Sequence, residues 1–192
     1  MKIQQKFVLN TPRKCVWAFL TDPYQVSACL PGAIISEKID DRTFTGTITV
    51  KVGPVTARYK GKIRFERMDS DLYEAEIIGQ GQDVKGKGGA EMRMTSRLYA
   101  LEGGGTEVTI ISEVNLIGLL AQFGRGMVED VSEQLFQQFA ATMRSKLEAG
   151  ASGAKAHAAP EVAPINVLLL GSKAFGRALV RMTRRLFGSS TS

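Results

Sequence analysis

Residues 43–52, TFTGTITVKV, alternate without a break. Phe44, Gly46, Ile48, Val50 and Val52 fall on one side and Thr43, Thr45, Thr47, Thr49 and Lys51 on the other. A period of two is that of a strand with one face buried and one in water. After Gly53 and Pro54 the pattern returns in VTARYKGKIRFER, with Val55, Ala57, Tyr59, Gly61, Ile63 and Phe65 on the apolar side and Arg58, Lys60, Lys62, Arg64 and Glu66 opposite. The two runs predict a hairpin. Tyr73, Ala75, Ile77, Gly79 and Gly81 continue the inner face in a third run, Ala90, Met92, Met94, Ser96 and Leu98 in a fourth, and Val108, Ile110, Ser112, Val114 and Leu116 in a fifth after a GGG turn. A one-sided antiparallel meander follows.

Elsewhere the period is helical. TPRKCVWAFLTD offers Thr11 as N-cap and Pro12 as first helical residue, with Cys15, Val16, Phe19 and Leu20 along one face. A second short helix is expected in PYQVSACLPG. From Leu119 to about Leu147, an apolar face of Leu120, Phe123, Met127, Val131, Leu135, Phe139 and Met143 predicts one helix long enough to cross the sheet. The order is therefore strand, two short helices, several strands and a long helix: an α+β domain.

The inner face alternates large side chains with Gly46, Ala57, Gly61, Ala75, Gly79, Gly81 and Ala90. Isolated strand glycines mark bulges and bends. Several on adjacent strands, beside flexible Met92, Met94 and Met127, also point to an apolar ligand cavity. By alternation its lining is expected from Tyr59, Phe65, Met92, Met94 and Ile110 of the sheet and Phe123 and Met127 of the long helix.

Charge changes the picture at one end. Of 25 Lys and Arg, five lie beyond Pro164, whereas the last acid is Glu161, so residues 1–161 hold 20 cations against 19 acids. The pI near 9.4 belongs to the tail. Lys173, Arg177, Arg181, Arg184 and Arg185 share an arc of about 120° on a helical wheel, opposed by Phe175, Leu179, Met182 and Leu186. A basic amphipathic helix is expected over 165–192. It would lie flat, since a spanning pose puts each cation into hydrocarbon at about 2.5–3.5 kcal/mol, whereas each one beside an anionic leaflet gains about 1 kcal/mol. Phe, Leu and Met at helical spacing suit a bilayer better than a phosphate backbone, so nucleic acid is not the expected partner. GASGAKAHAAPEVAP at 150–164 reads as a flexible linker, leaving 1–149 as one ligand-binding domain.

Candidate chemistry is sparse. His157, the single histidine, sits in the linker without acidic or thiol neighbours, and no metal-ligand cluster, nucleophile elbow or phosphate loop is legible. GQGQDVKGKGG at 79–89 is a strand, a loop and the next strand's start, with Asp83, Lys85 and Lys87 solvated, at a cavity mouth or meeting a partner. Glu129, Asp130 and Glu133 fit a solvated helix face. Cys15 and Cys29 read as small buried hydrophobes. An enzyme would need an inward acid, base or nucleophile, and the inward set offers only Tyr, Ser and Cys, so no catalytic residue and no covalently bound cofactor is expected. MKIQQKFVLN has no apolar signal core, which gives a cytoplasmic expectation.

DPYQVSACLPG at 22–32, VKVGPVTARYKGKI at 50–63, GGGTEVTI at 103–110 and GLLAQFGRGMVEDV at 118–131 together resemble the carbon monoxide dehydrogenase G-subunit (CoxG) family. This family lies within the START-like (SRPBCC) helix-grip superfamily. The resemblance covers about residues 2–148 and implies a seven-stranded antiparallel sheet curved around a long C-terminal helix, with an added amphipathic tail helix. It further implies recruitment of molybdenum-containing carbon monoxide dehydrogenase to the inner face of the cell membrane. Because that enzyme passes electrons toward membrane quinones, the resemblance suggests a quinone such as menaquinone as the ligand. Tyr59, Ser96 and Ser112, inward by alternation, would then either hydrogen-bond a quinone carbonyl or satisfy each other or the backbone. A pure membrane anchor or assembly factor without ligand, and a cyclase- or hydrolase-type enzyme, are the alternatives.

Overall fold

The computed structural model describes residues 1–151; the linker beyond Ala151 and the amphipathic helix expected at 165–192 lie outside the described residues. Alternation resolves into seven strands: β1 (Lys2–Leu9), β2 (Ala33–Lys38), β3 (Thr43–Val52), β4 (Val55–Asp69), β5 (Glu74–Asp83), β6 (Gly88–Ala100) and β7 (Thr106–Gly118). All pairings are antiparallel, and the sheet runs β1-β7-β6-β5-β4-β3-β2, a meander from β2 to β7 that β1 closes. Gly53 (φ 57°) and Pro54 form the turn between the paired Val52 and Val55, a left-handed position suited to glycine. Strand β2 had no distinct sequence signal. It is a short edge strand whose pairing with β3 shifts register between Ile35 and Glu37, which erases the period of two.

Between β1 and β2 come α1 (Arg13–Leu20) and α2 (Pro23–Ser27). Asp22 caps α2, its carboxylate accepting from Tyr24 N at 2.9 Å and Gln25 N at 3.3 Å. At α1 the expected cap is corrected. Pro12 itself is the N-cap, without a side-chain cap bond, and Thr11 is instead buried, its carbonyl accepting from the Thr106 hydroxyl at 2.7 Å. Cys15 is exposed, not buried: Val16, Phe19 and Leu20 centre the packed face, and Cys15 lies about 90° from that centre. Trp17 packs edge-on to Tyr73, a residue of positive φ (53°), and the Arg13 guanidinium lies over the same ring, 4.0 Å from its centroid.

After β7 a single 3-10 turn (Leu120–Phe123) leads into α3 (Gly124–Ala151), the long helix. Its packing is uneven. The C-terminal half inserts Phe139, Ala140 and Met143 into a cluster with Phe7, Leu9, Val16, Leu98 and Val108, and Phe7 meets Phe136 edge-on at 5.3 Å. At the opposite end Val131 and Leu120 pack with Val52, Ala57 and Tyr59. A third cluster, Phe44, Phe65 and Ile77, lies on the sheet alone.

Candidate functional site

The site is set by cross-strand register. Gly46 of β3 pairs with Gly61 of β4, Gly61 with Gly81 of β5, Gly81 with Ala90 of β6, and Ala90 with Leu116 of β7. Four strands thus carry a continuous rung of residues with almost no side chain, about 14 Å long at ~4.8 Å per strand. The next rung is Phe44, Ile63, Gly79, Met92 and Val114, and the one beyond holds Phe65, Ile77, Met94 and Ser112. A low band therefore crosses the inner face, bordered by Phe and Met side chains.

The glycines of this band differ in what they do. A Cβ at Gly61 would overlap the Gln80 carbonyl oxygen, and one at Gly46 the Ile34 carbonyl oxygen, so both exist because a neighbouring backbone closes on them where the sheet bends. At Gly79 and Gly81 no backbone overlaps: a Cβ at Gly79 would meet the Met92 methyl at 3.3 Å, and one at Gly81 would make ordinary contacts, 3.4 Å from Tyr59 Cβ and 3.7 Å from Lys60 O. The spacing in the sequence was uniform, and only the structure separates bend from space.

The inner face is apolar without being sealed. Between the three buried clusters, Ile48, Val50, Ile63, Met92, Val114 and Leu116 are only half-buried although all point inward. Of the seven residues expected at the cavity, Tyr59, Phe65 and Ile110 are buried, Met92, Met94 and Phe123 half-buried, and Met127 is 41% exposed. Phe123 packs on the cluster that contains Tyr59 and includes Ala90 at its margin, while Met94 bridges the other two clusters. Placing Met127 on the apolar face is corrected. It lies in the first turn of α3, and a Cβ at either flanking glycine, Gly124 or Gly126, would meet nothing within 4 Å, so this turn stands clear of the sheet.

Polar groups on this face lie at its two ends. Asp83, expected to be solvated, at a cavity mouth or against a partner, is 8% exposed, because β5 runs one residue further than expected and carries the alternation of 75, 77, 79 and 81 on to 83, opposite Tyr59. The carboxylate accepts from Lys85 N at 2.8 Å and Lys87 N at 3.3 Å, folding the turn into β6. Burial, and then the Asp83 charge, push the Tyr59 phenol above its usual value of 10.0, so it is a neutral hydroxyl at physiological pH. That hydroxyl has no hydrogen-bond partner among the described residues. Ser112, half-buried, and Ser96, buried, lie further along the inner face, on the far side of the Gly79 rung from Gly81. Sequence reasoning missed Gln134 of α3, whose Oε1 is buried without a partner; a glutamine among helix polar residues carries no signal of that kind.

Other chemistry is thin. Burial raises the Cys29 thiol, against a smaller opposing effect of Lys146, so it is a protonated core residue. Among the described residues no group of three His, Cys, Asp or Glu is placed to hold a metal ion, and no helix is long and apolar enough to cross a membrane. A concavity of about 610 Å³, open to solvent, is lined by Met1, Lys2, Ile78, Gln80, Glu91, Met92, Arg93, Glu113, Val114 and Asn115, a mixture of charged and apolar side chains.

A curved antiparallel sheet of seven strands gripping a long C-terminal helix is the START-like helix-grip architecture, and the solved structures it resembles agree. A conserved protein from Geobacillus kaustophilus superposes with a TM-score of 0.70 at 18% identity, covering 77% of this chain and 95% of that one. The Zhui aromatase/cyclase from Streptomyces sp. R1128 gives 0.60 at 14%, over 81% and 99% of the two chains. A START superfamily protein from Mycobacterium smegmatis gives 0.54 at 10%, over 77% and 97%. At such identities the likeness is one of fold. No curated protein sequence matches the chain. The chain belongs to the carbon monoxide dehydrogenase G-subunit (CoxG) family, whose model matches residues 6–148.

Proposed function

We propose that this protein is an accessory carrier for carbon monoxide dehydrogenase, one that holds a lipophilic ligand, a membrane quinone such as menaquinone, between the sheet and α3. The observation that carries this reading is the low glycine and alanine rung flanked by half-buried apolar side chains. An apolar surface of that kind is costly in water at about 25 cal/mol per Å² and gains that amount when an isoprenoid chain covers it. Tyr59, neutral and with a free hydroxyl, stands where a ring carbonyl would be bound, and Phe65, Met92, Met94, Ile110 and Phe123 where hydrocarbon would lie. Residues 165–192 dock the complex on the anionic inner face of the cell membrane, as a peripheral and not a spanning element.

Native mass spectrometry of the full chain purified from its host tests this. A retained species of quinone mass supports the carrier. Protein that emerges empty and takes up no added menaquinone makes it an anchor or assembly factor.

A second reading, a cyclase-type enzyme, is favoured by the likeness to the Zhui aromatase/cyclase together with the inward Asp83 beside Tyr59, an acid that the sequence did not reveal. Its weakness is chemical. The Asp83 carboxylate is already engaged by two backbone N–H groups and serves as the cap of a turn.

A further inference from the structure

The outer face of the sheet divides into two electrostatic halves. Over β5, β6, β7 and β1 cations and acids are interspersed and largely paired: Glu74 binds both Arg97 and Arg67 of β4 at 2.5 Å, Arg93 binds Glu76, and Lys6 binds Glu107 at 2.8 Å. On β4 Arg64 pairs with Glu66 at 3.0 Å, but the stretch before it is different. Arg58, Lys60 and Lys62 project in succession from β4, all exposed, and none has an acidic partner among the described residues. Their cross-strand neighbours are uncharged hydrogen-bonding groups, Thr49, Thr47 and Thr45 on β3, with Gln82 and Gln80 facing Lys60 and Lys62 on β5. The three cations extend over about 14 Å of strand, continued at the turn by exposed Lys85 beside Val84, whose N–H donates to the Arg58 carbonyl at 2.8 Å.

We propose that this stripe is the docking surface for an acidic face of the partner dehydrogenase, an inference that rests on the coupling function proposed above. Two features favour a protein over a bilayer. Insertion into a bilayer needs apolar side chains gathered at one protruding point. Here the exposed apolar residues are dispersed: Ile34 on β2 and Ile117 on β7, with Thr47, Lys60 and Gln82 between them, and Val84 in the β5–β6 turn. The threonine and glutamine rows also supply donors and acceptors matched to carboxylates and backbone, which a layer of lipid headgroups does not require. A flat, cationic, solvated patch of this size steers partners into short-lived complexes. Such a complex suits a carrier that must leave after each exchange.

The test uses the full chain. Wild type, the triple variant Arg58→Glu/Lys60→Glu/Lys62→Glu and the milder Lys60→Gln/Lys62→Gln are compared for association with purified carbon monoxide dehydrogenase of the same host across a salt series, and for binding to vesicles containing phosphatidylglycerol. The expected result is a fall of about tenfold or more in association rate for the triple variant, a smaller fall for the neutral pair, a flattened salt dependence, and vesicle binding unchanged. Association equal to wild type in both variants overturns the surface while leaving the coupling function standing. Loss of vesicle binding with dehydrogenase association intact overturns it in favour of a lipid surface. Failure of the wild type itself to associate removes the coupling function, and this surface with it.

Discussion

Gly81→Leu separates a carrier from a solid core. Gly81 sits in the middle of the low rung, and a Cβ there stands 3.4 Å from Tyr59 Cβ and 3.7 Å from Lys60 O, ordinary contact that requires no backbone shift. The remaining leucine carbons extend over the inner face. If that space is open or filled by an exchangeable ligand, burying the new side chain offsets its crowding, and stability of the empty protein should change by less than about 1 kcal/mol. In a close-packed core the same insertion costs about 1–3 kcal/mol, a fall of about 2–12 °C in Tm for a domain of this size. Gly61→Ala is the control. Its single methyl meets a backbone oxygen and should destabilise by about 2 kcal/mol or more whether or not ligand binds, even though Gly61 is the cross-strand partner of Gly81. Thermal melts of delipidated protein, paired with native mass spectra after incubation with menaquinone, read both quantities. Gly81→Leu that melts like wild type but takes up no quinone is the expected result; a fall of several degrees in a variant that binds quinone as wild type does would refute the reasoning.

Removing residues 165–192 should release the protein from phosphatidylglycerol vesicles at physiological salt while its melting transition stays in place, and reversing Arg177, Arg181 and Arg185 should weaken the full chain's binding and blunt its salt sensitivity. Thr106→Val should cost about 1–3 kcal/mol in urea unfolding, because Thr106 is fully buried and its loss leaves the Thr11 carbonyl unpaired at the start of α1. In a spectrophotometric titration of phenolate absorbance, Tyr59 should ionise above the ordinary tyrosine value of 10.0, and Tyr59→Phe should remove that step. The sign follows from the raised value: the folded state favours the neutral phenol, so its contribution is fully present below pH 10 and is lost as pH rises through the folded value.

What the chain declared on its own was whatever depends on local period. Strict alternation in residues 43–66 placed Phe44, Ala57, Tyr59 and Phe65 on the inner face, as observed, and a helical period long enough to cross a sheet placed Val131, Phe139 and Met143 on it. A second short helix was expected within PYQVSACLPG and is found at Pro23–Ser27; its Asp22 cap came only from the structure. Four separated motifs in order were enough to indicate the family. Strand β2 escaped because its register shift breaks the period.

Tertiary structure alone decided the rest. Whether an inward glycine provides space or yields to a neighbouring strand depends on where that strand's carbonyl lies, so Gly61 and Gly81 look alike in sequence and differ in kind. Asp83 turned inward because β5 extended one residue further than its apolar pattern, and Met127 and Cys15 turned outward because burial is set by what stands opposite, not by the residue's own hydrophobicity. The imbalance of charge on the outer face was likewise invisible along the chain, since Arg67, Arg93 and Arg97 look no different from Arg58 until register brings Glu74 and Glu76 to them. Period is a property of neighbours in sequence, whereas vacancy, burial and neutralisation are properties of neighbours in space.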